Sequence, residues 1–403
     1  MISSVPLRDA AEIGSAYFSA ALAQALTSAD MSVELWAKGS PSEFAAQSNP
    51  IIRCWQPGIG SWFDILATAV RRKPDLVHVQ HSVFLFGPGA TGEIATLLLL
   101  IGLAALRIPL VITCHDVPSL SQISTAYIKL HKYNFPVAAV KAGLRTLFSA
   151  FSLLSRGIIV HQQAFARILA EDYKVRREKI TIIPLLPLPF RTFPKEQARR
   201  RLRISEKADV ALFFGYATAY KGIDVLLNAM KQLPSRGRDG VLLLLGAGKH
   251  PKVDGRADYL AYYDALVEQA RSLENVRFVG FIPNGEIDLY IDACDVVVLP
   301  YVEFQGMSGP LNQCASHRKA YLISRAIADG IDDNGPEVFD PSPAALADTL
   351  TRYFTVPEFK RSVEQSCQAF SDRVLSAAWR DRTRQTYESA LGRSGNFATG
   401  AAE

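Results

Sequence analysis

Short apolar runs rich in β-branched residues alternate with helix-patterned segments along most of the chain. In the first half they are "VELWA" (33–37), "IIRCW" (51–55), "LVHVQ" (76–80), "LVITC" (110–114), "GIIVH" (157–161) and "ITIIP" (180–184). In the second half they are "VALFFG" (210–215), "VLLLLG" (241–246), "VRFVGF" (276–281), "DVVVLP" (295–300) and "AYLIS" (320–324). Strands that are apolar on both faces are covered on both faces, as in parallel sheets. Their alternation with helices builds βαβ units and doubly wound sheets. The chain has 403 residues, and a single core stops growing at about 250–300, so two such domains are expected. The break falls in "PLLPLPFRTFPKEQARRRLRI" (184–204), where four prolines precede a basic helix, and the linker is placed near 186–194. The sequence therefore predicts an α/β chain of two doubly wound Rossmann-like domains facing across a cleft. The first covers 1–188, the second 195–370, and a closing helix and frayed tail 371–403. Open α/β sheets bind ligands beyond the carboxyl ends of their strands, which is where chemistry is sought.

Charge and cysteine usage narrow the partners. A net charge of +5 is mild, and no aromatic-plus-basic signature appears, so nucleic acid is not expected. Five scattered cysteines without Cys-x-x-Cys spacing argue against a disulfide framework and a structural zinc and fit a reducing cytoplasm. The opening "MISSVPLRDAAEIG" lacks the charged-then-apolar order of a signal peptide. The apolar run Ile94–Leu106 is shorter than the about 20 residues that span a bilayer and reads as a buried helix. No acid occurs between Asp116 and Glu171. Within that stretch Val137, Val140, Leu144, Leu147, Phe148, Phe151 and Leu154 recur at helical spacing, with Lys141, Arg145, Ser149, Ser152 and Arg156 on the other side. Such a basic amphipathic helix either packs on a sheet with its basic face solvated, or meets an anionic membrane surface or a phosphate-bearing acceptor.

Three strand ends carry candidate chemistry. In "FFGYATAYKGIDVLLNAM" (213–230) a strand ends at Gly215 and a short loop leads through Lys221 and Gly222 into an amphipathic helix. A helix N-terminus offers free N–H groups and positive potential, Gly222 allows a tight turn, and Lys221 adds a full charge. Together they suit a diphosphate; the plainer reading is a βα turn with a solvated lysine. In "PYVEFQGMSGPLNQC" (300–314) Glu303 stands at a strand mouth, and Ser308 or Gly309 caps a helix with Pro310 at its start. A carboxylate there would repel an anion, so Glu303 suits sugar hydroxyls, or is simply a solvated loop acid. In "LVITCHDVP" (110–118) His115 can donate to a substrate oxygen or carry charge near neutral pH; alternatively it bonds only backbone, and Asp116 caps a turn. His78, His81 and His161 also lie near strand ends. No helix-spaced ligand pair supports a metal. No G-x-G-x-x-G follows the first strand, and neither a P-loop nor an Asp-x-Asp is present, which argues against nicotinamide and metal-bound nucleotide chemistry.

These segments, in this order, resemble the retaining, metal-independent GT-B glycosyltransferases of family 4. The resemblance rests on "PDLVHVQH", "LVITCHDV", "EKITIIPL", "FFGYATAYKGIDVLLNAM", "VRFVGFIPNGEIDLYIDACDVVVLPY" and "SGPLNQCASHRKAYLIS". It implies a nucleotide diphosphate sugar held by the second domain and an acceptor bound by the first. Lys221 and the N–H groups near Ser308 and Gly309 would meet the diphosphate, the backbone at Phe281 and Ile282 the base, and Glu303 the sugar hydroxyls. His115 would lie against the sugar, and Gly14 in "AEIGSAY" would belong to a glycine loop over the phosphates. The helix at 377–391 would cross back to the first domain. Departures are visible. The family's Glu-x7-Glu becomes Glu303 with Asn312 nine residues on, which offers an amide in place of ribose-binding carboxylate oxygens. Tyr216 stands where an arginine often follows the loop glycine, and "HRKA" (317–320) replaces a glycine-lysine-proline turn, with Arg318 a candidate for the missing cation.

The expected activity is that of a bacterial-type hexosyltransferase. It would move sugar from a UDP- or GDP-sugar to a hydroxyl acceptor with retention, without metal or other cofactor. Envelope polysaccharide or glycolipid synthesis, a lipid-linked acceptor and peripheral contact with the inner membrane face follow from the basic helix. The alternatives are a non-catalytic scaffold or regulator of another transferase, which the altered Asn312 and Tyr216 would mark, and a nucleotide-sugar epimerase or hydrolase on the same fold.

Overall fold

In the computed structural model the described residues are 1–3, 15–39, 42–46, 49–83, 85–187, 190–233, 240–250, 256–303, 306, 308–376 and 378–393. They form two compact units, one built from the chain up to residue 186 together with the last helix, the other from 187–376.

The first unit opens with α1 (Ser15–Leu26), β1 (Leu35–Lys38), β2 (Ser42–Ala46), β3 (Asn49–Trp55) and α2 (Ser61–Arg72). Next come β4 (Val77–His81), α3 (Gly89–Ala105), β5 (Leu110–Cys114), α4 (Thr125–Leu130) and α5 (Val137–Leu154). It continues through β6 (Gly157–Val160), α6 (Gln163–Glu171) and β7 (Ile180–Ile182). Strands pair in the orders β1-β3-β2 and β4-β5-β6-β7, and only β2 runs antiparallel to its partner. Ile2 bridges Trp36 and Val79 in parallel, so three residues at the chain start join both sets. Every residue of β4 and β5 is buried, which suits the apolar run of β5, while β4 carries His78, Gln80 and His81 into the interior.

Two sequence expectations change here. The run 94–106 is not wholly buried: Ala95, Leu99, Leu100 and Leu103 face the core, while Ile94, Ile101 and Leu106 are exposed. On α5 the apolar stripe is buried as expected, but Ser152 is buried with it. Its hydroxyl accepts from Arg176 N at 3.4 Å and its carbonyl accepts from Lys179 Nζ, a tie to the chain after α6 that spacing along one helix does not reveal.

The second unit runs α7 (Lys195–Arg201), β8 (Asp209–Tyr216), α8 (Ile223–Met230), β9 (Val241–Gly248), α9 (Ala257–Arg271) and β10 (Val276–Phe278). It goes on with α10 (Ile287–Ala293), β11 (Val296–Leu299), α11 (Gly309–Ser316), β12 (Tyr321–Ser324) and α12 (Arg325–Ile331). Then follow β13 (Val338–Phe339), α13 (Pro343–Thr355) and α14 (Pro357–Leu375). Its sheet is parallel in the order β10-β9-β8-β11-β12-β13. The order reverses between β8 and β11, and that switch point is where ligands of open sheets bind. All four residues of β11 are 0% exposed. The basic α7 is locked to this sheet rather than solvated throughout: Arg199 Nη2 meets Asp295 Oδ2 at 2.9 Å, and the same oxygen accepts from Val210 N at 2.8 Å.

The last helix, α15 (Ala378–Ala390), packs on β5 and α1 of the first unit. Its Tyr387 is buried, and the phenol meets His78 Nδ1 at 2.6 Å. All five cysteines are unpaired.

Candidate functional site

In the second unit, β8 ends at Gly215 and Tyr216, and a tight turn over Ala219–Lys221 leads to Gly222 and α8. Gly222 has φ +62°, and a Cβ there would lie 2.1 Å from the carbonyl oxygen of Pro300. Only glycine satisfies both the left-handed backbone and that approach. The carbonyl of Tyr220 accepts from Val302 N at 2.8 Å, which ties the exit of β11 to this turn. Lys221 is thereby folded inward. It is 8% exposed, and its ammonium lies where a Cβ on Gly215 would be only 2.8 Å away. It sits 5.7 Å from the centroid of the Tyr301 ring. Among the described residues no carboxylate pairs with it, and burial alone pushes its ammonium down to about 8.

Tyr301 links the lysine to the second anion-friendly turn. Its ring is buried, and its phenol lies 3.4 Å from Ser308 Oγ. Ser308 caps α11, accepting from Leu311 N at 3.2 Å, and Pro310 has no N–H. The amides of Ser308 and Gly309 are therefore the ones this terminus leaves for a ligand. Local sequence gives Tyr301 no role; its bridging position depends on a strand end and a cap meeting in space. Lys221, Gly215, Gly222, Ser308 and Gly309 thus gather around Tyr301 at the switch between β8 and β11. A cation without a counter-ion beside a helix start is built for an anion with several oxygens.

The flanks of this cluster are aromatic and polar. Phe281 is 50% exposed and stacks on Tyr216, with centroids 5.7 Å apart and planes at 17°. His250 meets Tyr216 edge-on at 5.2 Å. Ile282 is buried against Gly246. Burial pushes the Tyr216 phenol up, so it stays neutral and brings no phosphate charge. Arg318 does not replace the missing cation: its guanidinium is engaged by Asp372. Glu303 is exposed beyond β11, and Asn312 is buried one helical turn after Ser308, its N–H bonded to the Ser308 carbonyl at 3.1 Å. Gly14 lies outside the described residues.

In the first unit, His115 follows β5 and is buried. Its Nε2 pairs with Gln80 Oε1 at 2.8 Å, and its ring lies 5.1 Å from that of His161. Burial first, and then the neighbouring His161, His78 and His81, hold its pKa well below the usual imidazole value. The expectation that His115 carries charge near neutral pH is therefore corrected: it is a neutral hydrogen-bonding group. Its NMR ring signals are expected to show no inflection between about pH 6 and 8, and a midpoint in that window would contradict the assignment. His161 donates from Nδ1 to the Ile183 carbonyl at 2.8 Å, which leaves Nε2 a buried acceptor without a partner among the described residues. His78 is spent on Tyr387 and on Thr113 Oγ1 at 2.7 Å.

Comparison with known proteins gives two family matches that follow the two units. Residues 14–185 match the model "Glycosyltransferase Family 4", and residues 194–308 match "Glycosyl transferases group 1". A 2-deoxystreptamine glucosyltransferase of Streptomyces kanamyceticus is 30% identical over 36% of the chain and 37% of its own length. A D-inositol 3-phosphate glycosyltransferase of Frankia alni is 31% identical over 42% of the chain and 43% of its own length. The matched region is thus less than half of either relative. Sucrose-phosphate synthase of Thermosynechococcus elongatus superposes with a TM-score of 0.71 at 17% identity, covering 98% of this chain and 99% of that one. HepE of Anabaena, in complex with UDP and glucose, superposes at 0.66 and 17% identity over 96% and 99%.

Proposed function

We propose a donor and an acceptor for a chain that belongs to the group 1, family 4 glycosyltransferases, a transferase enzyme of two Rossmann-like domains in the GT-B fold. The donor is a UDP- or GDP-sugar bound by the second unit. The observation that carries this is the buried Lys221 ammonium, without a carboxylate partner among the described residues and beside the α11 start. The UDP complexes of HepE support a nucleotide donor. Transfer proceeds with retention. The bond from the sugar carbon to the diphosphate breaks, a bond to the acceptor oxygen forms on the same face, and the acceptor proton passes to the departing phosphate oxygen. Lys221 and the amides of Ser308 and Gly309 stabilise the charge that grows on the leaving group. Phe281 and Ile282 border the base, and Glu303 and Asn312 serve sugar and ribose hydroxyls. No metal is required, so transfer persists in chelator.

The acceptor is a ring hydroxyl, which the names of the two curated relatives support, used in envelope polysaccharide or glycolipid synthesis at the cytoplasmic face of a membrane. α3 packs against both α2 and α5. Ile59, Phe63 and Val70 on and before α2, and Ile94 and Ile101 on α3, are about half exposed or more, while Arg145 and Arg156 are exposed on and after α5. Apolar anchors beside basic side chains suit anionic lipid. Among the described residues α5 is the one helix long and apolar enough to cross a membrane, yet its apolar stripe is buried in the unit.

Isothermal titration tests the donor. UDP or GDP is expected to bind the wild type and to take up protons near pH 8, as the anion restores the charge of Lys221. Failure of both nucleotides to bind removes the donor assignment. Flotation tests the surface: vesicles containing phosphatidylglycerol are expected to carry the protein and phosphatidylcholine vesicles to leave it, with Arg145→Glu weakening the effect. Equal behaviour on both vesicles removes the membrane role.

A further inference from the structure

The first unit holds a second polar cluster that the donor chemistry does not use. His81 ends β4, Glu93 lies in the first turns of α3, and Tyr127 lies in α4 with Tyr133 just beyond. The His81 ring packs edge-on against Phe151 at 5.0 Å, so this cluster is on the α5 side of the sheet. Tyr133 donates to Glu93 Oε1 at 3.2 Å. The other carboxylate oxygen is left over: His81 Nε2 is 3.7 Å from Oε2, beyond hydrogen-bond reach. Among the described residues three buried polar atoms of this cluster have no hydrogen-bond partner: Glu93 Oε2, Tyr127 OH and His81 Nδ1. The side chains of His81 and Glu93 are only 3% and 12% exposed.

The charge is also unbalanced. Among the described residues neither lysine nor arginine pairs with Glu93. The phenols of Tyr127 and Tyr133 stack with centroids 6.4 Å apart, and burial together with the Glu93 charge keeps both protonated. Asp116 adds negative charge near Tyr127. A buried carboxylate with neither lysine nor arginine beside it among the described residues is costly unless a cation completes it. An ammonium supplies that charge, up to three N–H donors, and attraction to the aromatic faces. A lone water fills hydrogen bonds but leaves the charge uncompensated.

We propose that Glu93, Tyr127 and His81 receive an ammonium group of the sugar acceptor, which makes the acceptor an amine-bearing polyol. This rests on the reading that the first unit takes the acceptor. It places the specificity in a charge, where the flanking basic helix alone points to anionic partners.

The test uses two ring polyols as probes, 2-deoxystreptamine with amines and myo-inositol with hydroxyls only, titrated calorimetrically against the full chain with UDP measured in the same preparations. Wild type is expected to bind the amine and to bind myo-inositol more weakly. Glu93→Gln keeps the size of the side chain and removes its charge, and is expected to weaken amine binding by roughly tenfold or more with UDP affinity unchanged. Tyr127→Phe is expected to weaken it less. If Glu93→Gln fails to fold, Tyr127→Phe with intact UDP binding carries the test. Absence of amine binding by a wild type that binds UDP, equal affinity for myo-inositol, or an amine affinity indifferent to both variants overturns the proposal. Loss of UDP binding in the wild type instead strikes the donor reading.

Discussion

Replacing Lys221 by methionine abolishes sugar transfer and, at pH 7, makes the protein more stable. The first effect follows from charge. Removing one preorganised group at a developing anion costs about 10²–10³-fold in rate, and Lys221 is the cation that Tyr301 links to the Ser308 cap. The second follows from burial. The ammonium is 8% exposed, and its pKa falls from 10.5 to about 8 without a partner, a penalty of roughly 3 kcal/mol at most for holding it charged in the empty site. Because the folded pKa is the lower one, the unfolded chain binds more protons between about pH 8 and 10.5. Wild-type stability therefore rises with pH across that window, and the methionine variant lacks the rise. Steady-state transfer assays and denaturant titrations from pH 7 to about 10 read both effects. Unchanged turnover removes the phosphate role, and a destabilised variant shows that the ammonium is a structural bond rather than a waiting one.

Glu337→Gln flattens an opposite pH dependence. Glu337 precedes β13 and is 0% exposed. Ser366 donates to its Oε1 at 2.8 Å, while Oε2 has no hydrogen-bond partner among the described residues. Burial, and then the charge of Asp333, push its carboxyl up to about 7. Here the folded pKa is the higher one. Its stabilising contribution is complete below the unfolded value near 4.5, and is lost as pH rises through about 7. The loss amounts to a few kcal/mol, because each tenfold change in proton affinity is worth about 1.4 kcal/mol. Glutamine mimics the protonated acid, so the variant is expected to match wild type near pH 5 and to exceed it at pH 8 in urea midpoints. Parallel curves for the two proteins would show that Asp333 and Glu337 are both ionised in the fold.

Legibility from sequence followed the range of each interaction. Strand ends, the Gly222 turn and the Ser308 cap were readable because each is written within a few residues: an apolar run, a glycine, a hydroxyl before a helix. The burial of Lys221 was not, since a lysine after a strand looks the same whether it points to water or under a tyrosine. His115 stands out by position, but its neutrality comes first from burial and then from His161, His78 and His81, which belong to other strands or strand ends. The strand β2 escaped because "SEFAA" carries no apolar run. Glu93 and Glu337 escaped for the same reason as Lys221: what sets them apart is burial without a lysine or arginine, or for Lys221 a carboxylate, paired to them among the described residues, and a lone sequence records residues rather than their surroundings.

The junction of α15 with the first unit bears on how the polypeptide matures at the ribosome. Residues 187–376 are contiguous and can close as soon as they emerge. The earlier half must wait, because Tyr387 and Ala390 belong to its core and His78 has no phenol to bond until they arrive. The lobe synthesised first is thus completed last, and an early stop codon near residue 377 would leave a finished C-terminal lobe attached to a partner with a hole in its sheet-facing layer.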